Sequence, residues 1–451
     1  MKSLYALVLA AGQGSRMKSS TPKVLHPVSG RPMLEHVLNA VKALKPVETA
    51  VVLGVGRVAV KTALHARGWN RLQYVVQNEP KGSGHAVLRA RSFLRGKKGA
   101  LLVAYGDTPL LTSETLGSLC RAHAQSKNAV TFLAMEPVSP AGYGRMVVDA
   151  GGWLEKIVEE KDATADEKKI RLVNSGVACW DIERLLQVLP KLRPNNAKHE
   201  YYLTDAAGLL SEAGHRVGVI TAADAMETHG INTRVDLAEC EARWRHKILE
   251  KWMRAGVTIV DPATTFIDDA AELSADSRIL PGSIIQGHSR IASGCEIGPY
   301  SIIEDAIVHE GAKVGPFARL RPGSVIGKNA RVGNFVETKK TTLGESSKVN
   351  HLTYLGDAKI GRRVNIGAGT ITCNYDGFTK SETVIEDDVF VGSNTNLVAP
   401  VKVGRGATIG AGSTITKDVR ANALAITRSP QFQKDGWAAA FRAKHKKGPH
   451  A

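Results

Sequence analysis

Five cysteines, Cys120, Cys179, Cys240, Cys295 and Cys373, are too few, too scattered and of the wrong parity for a disulfide framework. No two stand at CxxC spacing, so no cysteine zinc site follows and free thiols in a reducing cytosol are the plain expectation. Long apolar runs are also missing. None approaches the roughly 18 residues of a membrane span, so no transmembrane segment is expected. Acidic residues fall short of basic ones, 43 against 60, and the net charge of +17 suits anionic partners. No RNP-type, helix-turn-helix or zinc-finger pattern accompanies that charge, which ranks phosphorylated small molecules above nucleic acid. Part of the excess lies in RAKHKKGPHA, Arg442 to Ala451, read as a solvated end.

What is present is a chain of 451 residues with 43% apolar content, enough for two or three cores rather than one. It begins MKSLYALVLAAGQGSRMKSS, which has the charged start, apolar run and small-residue end of a secretory signal. The same residues fit a buried strand, Leu4 to Leu9, followed by a glycine-bearing loop, Ala10 to Gly14, of the kind that holds phosphates. Up to about residue 230, apolar runs alternate with amphipathic segments, the βαβ pattern of a mostly parallel sheet covered by helices. The expected strands are Leu4 to Leu9, Thr49 to Leu53, Leu72 to Val76, Ala100 to Ala104, Ala129 to Ala134 and Val217 to Ile220. In such sheets the functional loops follow the strands' carboxyl ends.

From Val235 to Ala255 the chain lacks Gly and Pro up to Gly256 and is apolar at helical spacing, through Leu237, Cys240, Trp244, Ile248 and Trp252. One long connecting helix is expected. Beyond Val257 aliphatic residues recur every six positions, as in Ile279, Ile285, Ile291, Ile297 and Ile303, and Gly often follows them. That period is the hexapeptide signature of a parallel β-helix of the left-handed type, with the aliphatic residue inward and the corner made by small residues. Two stretches interrupt it, Thr338 to Lys348 and Cys373 to Thr383. They read as inserted loops.

The first half carries LAAGQGSRM, PKVLH, QNEPKGSGHA, YGDTPLL, GYGR, IVEEKDA, NSGV and GINTR. The second carries FARLRPG, GNFVETKK, HLTYLGD, NIGAGTITCNYDG, VFVGSNTNLVAP and NALAITRSPQ. Single motifs are weak, and the glycine loop is neither a Walker A nor a full GxGxxG. In this order, over nearly the whole chain, they closely resemble the bifunctional bacterial N-acetylglucosamine-1-phosphate uridyltransferase / glucosamine-1-phosphate N-acetyltransferase family. The resemblance implies a Rossmann-like mixed-sheet nucleotidyltransferase domain over 1–234, a helical linker over 235–255 and a left-handed β-helix acetyltransferase domain over 256–451. It also implies a cytoplasmic homotrimer that uses acetyl-CoA, glucosamine 1-phosphate, UTP and Mg²⁺ to supply UDP-N-acetylglucosamine for peptidoglycan and lipopolysaccharide.

For the uridylyl half it implies Leu9, Ala10, Ala11, Gly12, Lys23, Gln77, Gly82, Ser83, Tyr105, Gly106 and Asp107 around the nucleotide, with Arg16 and Lys23 neutralising phosphate charge. Gly144, Glu159 and Asn174 fall to the sugar, and Asp107 with Asn232 to Mg²⁺, which takes hard oxygen ligands. Ser15 and Ser83 stand where the family commonly has Thr, and both keep a hydroxyl. In the acetyl half His351 matches the general base, as a side chain with pKa near about 6.5 suits. Arg321, Lys339, Tyr354 and Asn365 match sugar-phosphate contacts, and Ala368, Asn374, Tyr375, Ser393, Ala411 and Arg428 match acetyl-CoA contacts. Removal of the first strand would take half the phosphate loop from its partners Lys23, Gln77 and Asp107, so the strand reading is adopted over the signal. Two rivals are another sugar-nucleotide pyrophosphorylase with a purely structural coil, and a basic scaffold without catalysis.

Overall fold

The computed structural model describes residues 3–445, so Met1, Lys2 and the last part of the basic tail, 446–451, lie outside the described residues. Two compact units divide the chain, one up to Lys247 and one from Ile248. The first is built on a mixed sheet whose main path runs Val217–Thr221, Val130–Met135, Val173–Asp181, Ala100–Tyr105, Leu4–Ala10, Glu48–Leu53, Gln73–Val76. Leu4–Ala10 lies inside the sheet, with Val8 opposite Val51 on one side and Ala104 on the other, both parallel. Its side chains alternate between two cores: Leu7 and Leu9 pack on one face, Ala6, Val8 and Ala10 on the other. A strand buried on both faces has no polar alternation, which is why this one resembles a signal segment in composition.

All six expected strands are present. The helices that cover them include Met33–Ala43 and Ser113–Ser126, the latter capped by Thr112 Oγ1, which accepts the Thr115 N–H. Three strands of this sheet were not expected. Val173–Asp181 runs antiparallel between Ala100–Tyr105 and Val130–Met135, and Arg145–Val148 pairs with Leu154–Val158. Val173–Asp181 hides behind Asn, Ser and Gly because its register shifts between Asn174 and Ala178, a bulge that aims the loop side of the strand rather than burying it.

The long helix spans Arg234–Arg254, and the division between the units falls within it. Its start is a capping box: Asp236 Oδ2 accepts the Asn232 and Thr233 N–H groups, both at 2.8 Å, and Thr233 Oγ1 accepts the Asp236 N–H. Cys240 is buried in a small cluster with Val28, Met33, Leu110 and Ile231, against which Leu237 and Trp244 pack.

In the second unit very short parallel strands stack coil upon coil. Ile279 stands opposite Ile297, and Ile297 opposite Val314, so about three hexapeptides complete one coil. In most strands the first residue is exposed and the second buried, as in Thr408 and Ile409. The Thr338 to Lys348 stretch corrects the loop expectation. Glu337–Leu343 is a continuous strand, in register from Glu337 opposite Tyr354 to Leu343 opposite Ile360. Thr338 and Thr341 face inward with their hydroxyls satisfied: Thr338 meets Ser324 Oγ at 2.8 Å, and Thr341 donates to the Leu355 carbonyl at 2.9 Å. The second stretch does contain a loop, tied by Asp376, which accepts the N–H groups of Phe378 and Thr379. No helix among the described residues is long and apolar enough to cross a membrane.

The alternation makes a stability contrast within one dipeptide. Ile409→Ala, at a fully buried position, is expected to cost about 2–5 kcal/mol, and Thr408→Ala less than about 0.5 kcal/mol, as read from urea midpoints.

Candidate functional site

At the carboxyl ends of the parallel strands, a cavity of 440 Å³ is lined by Leu9, Ala10, Ala11, Gly12, Arg16, Lys23, Gln77, Gly82, Ser83, Tyr105 and Asp107. Eleven of the expected nucleotide residues are thus brought together from four separate segments. Gly106 donates its N–H to the Leu9 carbonyl at 2.9 Å, which locks two strand ends side by side. Gln77, almost fully buried, donates through Nε2 to the Gly82 carbonyl at 3.1 Å and so fixes the loop before Ser83. Burial pushes the Tyr105 phenol up to about 12, so it stays protonated and can donate. Its ring fits because Gly176 adopts φ +87°, where a Cβ would approach the ring to 2.6 Å.

The charged centre is the Lys23 ammonium. It makes an ion pair with Asp107 Oδ2 and donates to Asn232 Oδ1 at 3.1 Å. Gly14, at φ +63°, leaves room for the Lys23 side chain, since a Cβ there would lie 2.6 Å from Lys23 Cβ. Asn232 Nδ2 donates to the Gly230 carbonyl at 3.0 Å, which turns Oδ1 toward the cation, and the Ile231 N–H reaches the Asp107 carbonyl at 2.9 Å. Two hard oxygens from residues far apart in sequence therefore converge on one cationic point, a donor set that fits a divalent ion completed by water and phosphate oxygens. No cluster of three His, Cys, Asp or Glu side chains occurs among the described residues, so a protein-only metal cage is not what this site offers. Arg16 is exposed at the cavity, with no partner for its guanidinium among the described residues.

Gly144, Glu159 and Asn174 do not line the cavity but form a group of their own. The Asn174 N–H donates to the Gly144 carbonyl at 2.8 Å, and a Cβ on Gly144 would meet Glu159 Oε1 at 3.2 Å. Burial raises the Glu159 carboxyl above its usual range. Two features escaped the sequence reading. Glu200 also lines the cavity. Tyr143 Oη meets His229 Nδ1 at 2.9 Å, joining the GYGR and GINTR segments. Neither pairing has a spacing signal, because each depends on loops far apart in sequence.

In the coil, His351 stands opposite Asn334, and Asn334 Oδ1 accepts from His351 Nδ1 at 3.0 Å. A carboxamide oxygen can only accept, so Nδ1 carries the proton and Nε2 is left as the basic nitrogen. Arg321 is paired with Glu337 at 2.8 Å, which raises its pKa further. Lys339 lies against Lys380, and that contact lowers the Lys339 ammonium below its ordinary pKa, with Arg321 adding to the effect. Neither lysine has an ion-pair partner among the described residues. Lys380 and Asn334 are additions to the expected set; both follow from register and loop closure, as the Tyr375–Lys380 bridge illustrates.

The acetyl-CoA candidates line up along one corner of the coil. Ala368 accepts from the Asn394 N–H at 2.7 Å, Ser393 from the Gly412 N–H at 2.8 Å, and Ala411 from Arg428 Nη1 at 2.5 Å. Asn374 donates to Asp357, and Tyr375 begins the loop beside it. Asn365 lies between Lys348 and Phe390 on the sheet that carries His351, and no hydrogen bond among the described residues joins it to Arg321, Lys339 or Tyr354.

Comparison with known proteins agrees with both halves. Residues 6–168 match the MobA-like NTP transferase domain family, and residues 302–402 match the GMPPB C-terminal domain family. The chain is 45% identical over 451 residues to the bifunctional protein GlmU of Halalkalibacterium halodurans, covering 96% of this chain and 98% of that protein. It is 47% identical over 449 residues to bifunctional protein GlmU of an Exiguobacterium species, covering 96% and 99%. With the GlmU of Brevibacillus brevis the identity is 44% over 463 residues, covering 99% and 100%. A cleft that gathers cations and hard oxygens, a coil that bears a histidine held by Asn334 and two lysines in mutual contact, and full-length identity at this level together make the chain a member of the bifunctional GlmU family.

Proposed function

We propose that the chain carries out two transfers: acetyl from acetyl-CoA to the amine of glucosamine 1-phosphate, then uridylyl from UTP to the resulting N-acetylglucosamine 1-phosphate. The observation that carries this reading is the presence, on one chain, of the Lys23–Asp107–Asn232 centre, of the His351–Asn334 pair and of the Lys339–Lys380 contact. A structural coil has no use for a poised imidazole and two crowded ammonium groups, which disfavours the pyrophosphorylase-only reading.

In the uridylyl transfer a sugar-phosphate oxygen bonds to the α-phosphorus of UTP as pyrophosphate departs, a reaction governed by alignment and charge neutralisation. The backbone from Ala10 to Gly12 carries no bulky side chain and allows close approach of the nucleotide. Arg16 supplies a guanidinium to the phosphates, and Lys23 an ammonium. Asp107 and Asn232 would hold Mg²⁺, whose contribution is neutralisation of phosphate charge. Gly144, Glu159 and Asn174 contact the sugar. In the acetyl transfer His351 Nε2 takes the proton of the attacking amine, while Asn334 holds the ring. Arg321, Lys339 and Lys380 receive the sugar phosphate with Tyr354 and Asn365 in supporting contacts, and the Ala368 to Arg428 corner with Asn374 and Tyr375 receives acetyl-CoA.

A homotrimer is part of the proposal. Tyr300, Phe317 and Phe335 stack at centroid distances of 5.3 and 5.5 Å on the coil surface and are half-exposed, with Leu352 exposed in the following coil. Such a column supports burial against further copies.

Purified protein given acetyl-CoA, glucosamine 1-phosphate, UTP and Mg²⁺ is expected to release both CoA and pyrophosphate. Chelation with EDTA should stop pyrophosphate and leave CoA release unchanged, and loss of both would overturn the separation of the two sites. His351→Ala should do the converse, lowering acetyl transfer by about 10²–10⁴-fold with uridylyl transfer intact when N-acetylglucosamine 1-phosphate is supplied directly. Lys380→Ala is expected to raise the KM for glucosamine 1-phosphate about tenfold or more, in line with a charge-assisted hydrogen bond, with little change in kcat; an unchanged KM removes Lys380 from the phosphate site. Native mass measurement should find three chains.

A further inference from the structure

In the uridylyl transfer two groups of residues in the first unit must serve one acceptor: Gly144, Glu159 and Asn174 at the sugar, and Asp107 and Asn232 with Lys23 at the phosphates. Each group sits on a stretch of chain that is fastened by its own bonds. On the sugar side Arg145, 2% exposed, donates to the Tyr143 carbonyl and pairs with Glu160 Oε2 at 2.7 Å. The same Glu160 oxygen accepts the Gly142 N–H at 3.2 Å, and the Asn174 N–H holds the Gly144 carbonyl.

On the phosphate side the chain is fastened before and after His229. Before it, the Thr112 and Thr115 hydroxyls donate to Glu227 Oε2 at 3.0 and 2.6 Å, and the buried Thr228 donates to the Ala225 carbonyl at 3.0 Å. After it, the Ile231 N–H holds the Asp107 carbonyl, and Asn232 Nδ2 holds the Gly230 carbonyl. The two stretches are joined by a side-chain hydrogen bond, Tyr143 Oη to His229 Nδ1 at 2.9 Å. Tyr143 immediately precedes Gly144, and His229 stands three residues before Asn232. Both side chains are half-buried. Burial, with the Asp236 and Asp107 carboxylates adding to it, pushes the Tyr143 phenol up, so the hydroxyl keeps its proton for this bond.

We propose, on the two-transfer reading given above, that Tyr143 and His229 are positioning residues for the uridylyl transfer. Their hydrogen bond braces the sugar-binding loop against the phosphate-binding stretch and sets the line along which the acceptor oxygen meets the α-phosphorus. An in-line displacement depends steeply on that line, since a misplacement of about 1 Å can cost about 10²-fold in rate. Arg145 and Glu160 hold one end of the loop whether or not the phenol is present. Without the phenol, the end that leads into Gly144 loses its tie to the Asn232 stretch, while the cavity residues that hold UTP stay in place.

The test is pyrophosphate release by the full-length chain from UTP and N-acetylglucosamine 1-phosphate supplied directly. Tyr143→Phe keeps the ring and removes only the hydroxyl. It is expected to lower kcat about tenfold with the KM for UTP unchanged, and His229→Ala should do the same. The double variant should be no slower than either single one, because each change removes the same bond. His229→Gln, whose carboxamide can take up the phenol's hydrogen bond, should restore most of the rate. Wild-type protein that releases no pyrophosphate overturns the two-transfer reading itself. With wild type active, a single variant within about twofold of its kcat, or single effects that multiply in the double variant, overturns the brace alone. A KM for UTP that rises as kcat falls marks a general loosening of the site and overturns it likewise.

Discussion

An ammonium held between a carboxylate and a carboxamide ties together three stretches of chain around Lys23, Asp107 and Asn232, and the first unit is arranged to make that meeting possible. Lys23 and Asp107 are 9% and 19% exposed as side chains. Removing one member of so buried a pair leaves an uncompensated charge, at a cost of about 3–5 kcal/mol. The supports are correspondingly local and specific. Gly14 has no side chain where Lys23 must pass, the Ile231 N–H binds the Asp107 carbonyl, and the Thr233–Asp236 box fixes the backbone of Asn232 at the helix start. The same three groups are what an incoming metal and phosphate would engage. Fold stability and substrate charge are therefore read by one cluster, and the ammonium fills the cationic role among the oxygens.

The coil solves its positioning problem by translation instead. Each short strand repeats its predecessor one coil earlier, so a side chain at a given corner is followed by another at the same corner. Asn334 opposite His351 is one product of that register. The continuation of Lys348–Val349 into Asn365–Ile366 puts Ala368 at the turn that follows His351 in the next coil. A histidine held by a strand partner, rather than by a flexible loop, keeps its tautomer because the register cannot slip without exposing the buried face of every strand. Reactive groups and core thus share one constraint.

Much of this was readable in the sequence, and the parts that were not share a cause. Leu4–Ala10 and the other parallel strands show as apolar runs because both faces are buried, and the hexapeptide period shows because each coil repeats one inward residue. Val173–Asp181 did not show, since its bulge places Asn174 and Gly176 within a strand, and those residues ordinarily mark turns. Glu337–Leu343 was mistaken for a loop because inward threonines look polar until Ser324 and the Leu355 carbonyl are seen to satisfy them. The expected nucleotide residues converge on the cavity, whereas Glu200, Asn334 and Lys380 needed coordinates. Their partners are fixed by register and loop closure, neither of which is encoded in local spacing.

The net charge of +17 acquires a finer meaning once pairing is considered. Along the coil many cations are matched: Lys328 with Glu310, Arg362 with Asp387, Arg363 with Asp388, Lys402 with Glu386. Such exposed pairs contribute little stability individually, but they offset the local field. Arg16, Lys339 and Lys380 have no such partner among the described residues, and the last two crowd each other. Like charges held in contact are unfavourable until an anion enters, so the binding of a phosphate relieves a repulsion as well as making new contacts. The crowded Lys339 and Lys380 therefore give the coil a compact point of positive charge, of the size that a small phosphorylated ligand needs.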